Sequence, residues 1–337
     1  MKRRHFLRGS LALTALTSLE FAPWHVVSAF AREVDEFVRG PVVKDHPLEQ
    51  LSPHVWMIHS PDGFPTPENQ GMMCNLTFVD TPRGLVVLDS GASVQIGEMA
   101  IRQLRQKFPG KPVLAIINSH YHGDHFLGNQ AFVEAFGELP IYAHPGTIAA
   151  IRGLEGNMWR TLMEQWTNQA TAGTRVVVPN QPLAHGQELK FGDLTLRMHH
   201  YGKVHTPADI CVQVVEDGIT YVGDVAMDRR IANMDDGSYL GTLKCYEELE
   251  RNAASRVWIP GHGRPGAGVL QWNRELFQGI YEPCVQAVQE GQPLEAAKSL
   301  VLRDPRVASR ARETAGFESN IGKYVSLAYL EAEAAAF

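Results

Sequence analysis

Four side chains able to hold a metal ion fall within six positions of one another in Asn118-Ser119-His120-Tyr121-His122-Gly123-Asp124-His125. The stretch directly follows Val113-Leu114-Ala115-Ile116-Ile117, a short β-branched run opened by Pro112 that reads as a buried strand. The ligands therefore sit where a strand gives way to a loop. In extended backbone, side chains two apart point the same way, so His120 and His122 can reach one ion together. After the turn at Gly123, Asp124 and His125 face a second. Three later turns each offer one more ligand after an apolar run: His205 in Val204-His205-Thr206-Pro207, Asp224 in Tyr221-Val222-Gly223-Asp224, and His262 in Ile259-Pro260-Gly261-His262-Gly263. Together these make seven ligands, enough for two divalent ions. Gly223, Gly261 and Gly263 allow the backbone to come close to the metals.

The elements that must position these residues can be read in order. Residues 1–31 have the form of an export leader, with a basic start at Lys2-Arg3-Arg4, an apolar run over 11–27 and a small-x-small cleavage site at Ala29-Phe30-Ala31. Arg3-Arg4-His5-Phe6-Leu7 looks like a twin-arginine signal, which places the mature protein in the periplasm, exported in folded form. Residues 32–50 read as an extended lead-in. Short strands separated by Pro, Gly and Asp turns follow at 54–58, 75–79 and 84–88. Ile96, Ala100, Leu104 and Phe108 recur at four-residue steps and predict a helix ended by Pro109-Gly110. Helices are predicted at 127–136, over 147–169 with interruptions near Gly153 and Gly156, and at 241–254; strands at 140–143, 194–199, 210–215, 219–222 and 257–259. The second β-rich half mirrors the first, which argues for layered sheet with helices outside. Helices at 276–290, 293–302 and 321–335 form a tail with no linker before it. The expected organisation is a catalytic domain over 51–266 and a helical tail, 267–337, packed on the same domain.

Composition bounds the partners. Of the 337 residues 44% are hydrophobic and 20% charged, ordinary for a globular protein. Cleavage after residue 31 removes Lys2, Arg3, Arg4, Arg8 and Glu20, a net of +3, and moves the formal charge from −6 to −9. Such an acidic chain is a poor nucleic-acid binder. The expected partner is a small-molecule substrate, with no stable membrane insertion once the leader is gone. Cys74, Cys211, Cys245 and Cys284 form no Cys-x-x-Cys pair, and Cys74 and Cys211 lie in apolar runs where they pack as small hydrophobes. His144 and the pair His199-His200 read as structural or as supports behind the ligands. His46, His54, His59 and His185 show no partner in the sequence, and Trp56, Trp159 and Trp166 are candidates to line a pocket, with core packing the favoured reading of each. Tyr121, between two ligands, is a candidate substrate contact or a packing residue beneath the loop.

The motif His120-x-His122-x-Asp124-His125, followed by His205, Asp224 and His262, resembles the metallo-β-lactamase-fold superfamily of metal-dependent hydrolases. The resemblance runs from about Pro53 to Arg264 and implies an αββα sandwich with metals at one sheet edge. It implies that His120, His122 and His205 hold the first ion, Asp124, His125 and His262 the second, and that Asp224 bridges them. Asp89, in Leu88-Asp89-Ser90-Gly91, matches a further motif and would orient the ligand loop without touching substrate. Two cations sharing a hydroxide would supply a nucleophile at working pH without serine or cysteine, and Asp124 would accept a proton after attack. Imidazole and carboxylate ligands suit zinc, with iron or manganese as alternatives.

Within the superfamily, the aspartate at 224 resembles thioesterases, lactonases and ester hydrolases more than the common β-lactamases. The expected reaction is hydrolysis of an ester, thioester or lactone carbonyl, with β-lactam hydrolysis as the alternative. A mono-iron persulfide dioxygenase of the same fold is a further alternative, against which the intact His125 and His262 argue. The leader, the loop Asp235-Asp236-Gly237-Ser238 and the segment 320–333 are similar to exported zinc hydrolases associated with quinoprotein dehydrogenase and sulfur-oxidation systems. In this fold the hairpin corresponding to the Pro, Gly and Met-rich stretch 61–73 often covers substrate, which implies a loop near the site.

Overall fold

The computed structural model describes residues 38–61, 63–231 and 233–336. The leader and residues 32–37 of the lead-in lie outside them. Seven strands form one sheet in chain order: β1 (Leu48–Gln50), β2 (Val55–Ile58), β3 (Leu76–Thr81), β4 (Gly84–Leu88), β5 (Val113–Ile117), β6 (Ile141–Ala143) and β7 (Gln181–Pro182). Strands β8 (Glu188–Phe191), β9 (Leu194–His199), β10 (Cys211–Val214), β11 (Ile219–Gly223) and β12 (Val257–Pro260) form a second sheet in the order β12-β11-β10-β9-β8.

The inner strands β2, β4 and β5 of the first sheet are apolar at consecutive positions because both faces of the sheet are covered there. Val55 and Met57 of β2, Val86 and Leu88 of β4, and Ala115 and Ile117 of β5 point into a core shared with Leu196, Met198, Val212 and Ile219 of the second sheet. The alternate residues, Trp56, Ile58, Leu85, Val87 and Ile116, point outward. They pack against helix α1 (Val94–Lys107), helix α2 (Gly123–Phe126) and helix α3 (Asn129–Phe136). The outer face of the second sheet, at Cys211, Val222 and Trp258, is covered by helix α6 (Tyr239–Asn252) and the start of α7 (Val269–Gln289). Two sheets packed face to face with helices on both outer surfaces make the αββα sandwich.

Between β6 and β7 lie α4 (Pro145–Arg152) and α5 (Glu155–Trp166), so the predicted long helix breaks at Gly153-Leu154. After α7 come α8 (Leu294–Arg303), the short α9 (Pro305–Ala308) and the C-terminal α10 (Phe317–Ala336). Leu276, Phe277, Ile280 and Cys284 of α7 and Tyr324, Val325 and Ala328 of α10 share a separate helical core. No described helix is long and apolar enough to cross a membrane.

Several boundaries differ from expectation. The lead-in contains β1, an edge strand paired antiparallel with β2. The edge strands β7 and β8 escape a hydrophobicity pattern because most of their residues are exposed or half-exposed. Helix α6 starts two residues early, where the Ser238 hydroxyl accepts from the Gly241 amide at 2.9 Å. All four cysteines are buried and free.

Candidate metal centre

Parallel pairing of β4 with β5 and of β11 with β12 brings their C-terminal ends to one edge. Asp89 follows β4, the motif from His120 to His125 follows β5, Asp224 follows β11 and His262 follows β12. His205, in the turn between β9 and β10, joins the same edge. Strand ends hold such loops rigidly while the loops carry the chemistry.

His120, His122, His205 and Asp224 present ligand atoms within 4.8 Å of one another, and so do Asp124, His125 and His262. Asp224 lies between the two groups. Its Oδ2 is 3.4 Å from His262 Nε2, 3.5 Å from His205 Nε2 and 3.9 Å from His120 Nε2, while its Oδ1 is 3.4 Å from His125 Nε2. Asp124 Oδ2 lies 3.2 Å from His262 Nε2 and 3.3 Å from His125 Nε2. These contacts leave His120 Nε2, His125 Nε2 and Asp224 Oδ1 buried with no hydrogen-bond partner. Ligand atoms about 2.0–2.1 Å from a tetrahedral ion stand about 3.3 Å apart, so this spacing and these orphaned atoms fit a pair of divalent cations.

At His120, His122 and His205 protonation agrees with that fit. Burial, with the neighbouring histidines, holds His120 and His122 well below the ordinary imidazole range, and burial also lowers His205. Neutral imidazoles keep the lone pair a metal needs. Burial disfavours the carboxylates of Asp124 and Asp224, yet His125 and His262 outweigh it and keep both acids well below their usual range. Around His125 and His262 the balance reverses: burial opposes the imidazolium, but the carboxylates of Asp124 and Asp224, joined at His125 by Asp89, raise both.

A layer beneath the ligands fixes their rings. Asp89 accepts from the Ser119 amide at 2.7 Å and from the Ser119 and Tyr221 hydroxyls at 2.6 Å each, and lies 2.7 Å from His125 Nδ1. His262 Nδ1 lies 2.7 Å from the Met73 carbonyl, and His120 Nδ1 lies 2.9 Å from Ser119 Oγ. In each ring the other nitrogen, Nε2, is thereby aimed at the centre. Gly261 admits no side chain: a Cβ there would collide with Asp224 Oδ1 and lie 2.9 Å from His125 Cε1.

The centre forms the floor of a cavity of about 530 Å³. One wall is apolar, made by Met158, Trp159, Leu162 and Trp166 of α5 with Phe64 and Pro65 of the 61–73 loop. Arg230, Asn233, Asp235, Asn320, Lys323 and Tyr324 form a polar wall opposite. Trp159 and Trp166 thus line the cavity, the alternative weighed for them, and also pack against the first core; Trp56 is a core residue. Their i, i+7 spacing with Met158 and Leu162 puts them on one face of α5, a periodicity visible in the chain. Tyr121 is buried, and its hydroxyl donates to Asp236 at 2.9 Å. His144 caps α4 and stacks on His200, and His199 binds Gln213 and Tyr201, so all three support the structure. His54 finds its partner in Asp217 at 2.7 Å. Cys74, whose Sγ lies 3.4 Å from His125 Nδ1, was read as packing because no local motif marks it, while the loop 235–238 and the segment 320–333, singled out by resemblance, turn out to line the cavity through Asp235, Asn320, Lys323 and Tyr324.

A family profile described as the metallo-beta-lactamase superfamily matches residues 69–277, more than half of the chain. The chain belongs to the metallo-beta-lactamase superfamily. Over 70 residues, 20% of the chain, it is 38% identical to a linear primary-alkylsulfatase from a Pseudomonas species, but these make up only 13% of that protein. A metallo-beta-lactamase from Pontibacter korlensis superposes with a TM-score of 0.56 at 19% identity, over 68% of this chain and 98% of that one. A stereoselective inverting secondary alkylsulfatase from Pseudomonas superposes with a TM-score of 0.65 at 16% identity, over 84% of this chain. The chain spans half the length of that alkylsulfatase. These two structural likenesses concern the fold.

Proposed function

We propose that this superfamily member is a binuclear metal-dependent hydrolase of the periplasm that cleaves an ester-type bond in a small molecule with a substantial apolar part. The observation that carries the reading is the juxtaposition of seven buried ligands, with their orphaned nitrogens and carboxylate oxygen, and the apolar wall of α5 in one cavity. His120, His122 and His205 would hold one ion, Asp124, His125 and His262 the other, with Asp224 between them. Bound ions of this kind supply a water-derived nucleophile near neutral pH and polarise the oxygen of the bond attacked.

The chain's own groups do the rest. Asp89, Ser119 and the Met73 carbonyl hold the imidazoles in orientation. Asp124, kept ionised, reaches into the cavity and would accept the proton released on attack. Trp159, Leu162, Trp166 and Phe64 bind the apolar part and exclude water from the floor.

Carboxylic esters, thioesters and lactones are the first reading. Sulfate esters are a second, favoured by the stretch similar to the linear primary-alkylsulfatase and by the apolar wall, which suits an alkyl chain. The deciding experiment is elemental analysis of protein purified from the periplasmic fraction, alongside a His262→Ala variant, followed by a hydrolysis panel. Two zinc ions per chain, fewer in the variant, and turnover of an ester, thioester, lactone or alkyl sulfate are expected. One iron per chain, unchanged in the variant, would point instead to persulfide oxidation. Turnover of β-lactams alone would assign the amide reaction.

A further inference from the structure

The turn that carries His262 is locally soft. Glycine flanks the ligand on both sides: at 261 a Cβ would collide with Asp224 Oδ1, and at 263 the backbone is left-handed at φ 89° and a Cβ would meet Asp228. Two glycines in three residues leave the backbone free, whereas a metal ligand has to be held to within about 0.5 Å. The rigidity must come from outside the turn.

Asn75, the residue before β3, supplies it. Its side chain is fully buried, and both of its polar atoms are engaged. Nδ2 donates to the Pro260 carbonyl at 3.0 Å and to the Gly263 carbonyl at 2.7 Å, so one amide group spans the turn from end to end. The Asn75 backbone amide donates to the Gly261 carbonyl at 2.7 Å. Of the four successive carbonyls from 260 to 263, three thus accept from Asn75, and the fourth, that of His262, accepts from the Asp228 amide at 3.1 Å. Oδ1 faces the other way and accepts from the Ser60 amide at 3.1 Å. These partners fix the orientation of the side-chain amide, since carbonyls only accept and a backbone amide only donates.

The same stretch of chain holds the ring. Ser60 Oγ donates to the Met73 carbonyl at 2.6 Å, and that carbonyl accepts from His262 Nδ1 at 2.7 Å. Backbone and imidazole of His262 are therefore both held from residues 73–75, which lead into the first sheet, although His262 follows β12 of the second. Among the described residues, Asn75 bonds to none of the turns that carry His120, His122 and His205. A buried amide with every partner in place is a rigid clamp, and this one closes on a single ligand.

We propose that Asn75 is a positioning residue for the second ion: its side-chain amide fixes the His262 turn so that the imidazole meets the ion beside Asp124 and His125. The proposal rests on the two-ion reading of the centre. It makes the two ions depend differently on one buried side chain.

The test compares wild type with Asn75→Ala, His262→Ala, the double variant and Asp217→Asn, which loosens the far end of the sandwich where Asp217 pairs with His54. The affinity for each zinc ion is measured by competition with a chromogenic chelator, beside thermal melting of the metal-free proteins. Asn75→Ala is expected to bind the second zinc about 10–100-fold more weakly and the first as wild type does. Asp217→Asn should bind both as wild type does although it melts lower, and Asn75→Ala should cost nothing further once His262 is gone. Wild-type affinity for the second zinc in Asn75→Ala overturns the proposal. So does equal weakening of both ions, or the same loss in the His262→Ala background, since the side chain would then support the fold at large. If Asn75→Ala does not fold, Asn75→Ser, which keeps a hydroxyl donor, carries the titration; failure of both to fold makes Asn75 a residue of the fold alone and overturns the proposal. A wild type that takes up one ion, unchanged by His262→Ala, is a different result: it sinks the two-ion reading itself and the proposal with it.

Discussion

Asp89 concentrates the residue-scale lesson, because one carboxylate serves Ser119, Tyr221 and His125 at 2.6–2.7 Å. It occupies the left-handed region at φ 57°, which aspartate tolerates better than most residues. Its work is to hold the His125 ring and the start of the ligand loop, so its loss acts through metal binding. Asp89→Asn is expected to weaken zinc affinity about 10–100-fold, measured by competition with a chromogenic chelator. Unchanged affinity would mean that strand β5 and its turn hold the loop unaided. The neighbouring Cys74, aligned on the same imidazole, is buried, and burial pushes its thiol up to about 12, so it stays protonated and packs beneath the ring as a thiol.

Among elements, the sandwich has two ends with different tasks. At the ligand end the loops diverge to make a cavity; at the far end they are stitched together. Asp217, in the turn between β10 and β11, binds Ser52 Oγ, the His54 amide at 3.0 Å and His54 Nδ1 at 2.7 Å, so it ties one sheet to the other. Burial by itself would raise the Asp217 pKa, but the bonds from His54 and Ser52 outweigh it and the acid is held below its usual range. The folded protein therefore binds that proton less tightly than the unfolded chain. The stabilisation is present above the ordinary carboxylate range near 4 and is lost as pH falls through the lower folded value. Asp217→Asn is expected to melt below wild type at pH 7, with the gap closing as the pH is taken below about 4. A gap constant with pH would assign the effect to lost packing and not to the ionised carboxylate.

On the scale of the whole molecule, the metal centre joins segments far apart in the chain, from His120 to His262, and draws on both sheets. In the unfolded chain no such cluster exists, so metal binding adds directly to folding stability. At zinc concentrations 100 times the dissociation constant the gain is about 2.7 kcal/mol, and the melting temperature should rise progressively with added zinc. The same titration on His262→Ala should give a smaller rise. Identical curves would place the stabilising ion elsewhere. The tail belongs to this scale as well: α10 packs on α7, caps α6 through Glu331 and lines the cavity through Tyr324.

The seven side chains that the fold gathers at one edge were legible from the chain because metal chemistry would demand such side chains, and because strands that end in them leave a recurring pattern of apolar run, small residue and candidate ligand. The layered fold was legible for a related reason. Strands covered on both faces, such as β2 and β5, must be apolar throughout, and that is a local property of sequence. The edge strands β7 and β8 were not, since an exposed edge strand needs no apolar pattern. Nor was the division of labour among the tryptophans. Trp159 and Trp166 have the composition of a core face, and only the placement of α5 beside the ligand loops turns that face toward a cavity. Asn75 reads from the chain as the first residue of a strand, and the Pro260 and Gly263 carbonyls it binds lie 185 and 188 residues further on. Which carbonyls a buried amide meets depends on every atom around it, and that was decided by tertiary structure alone.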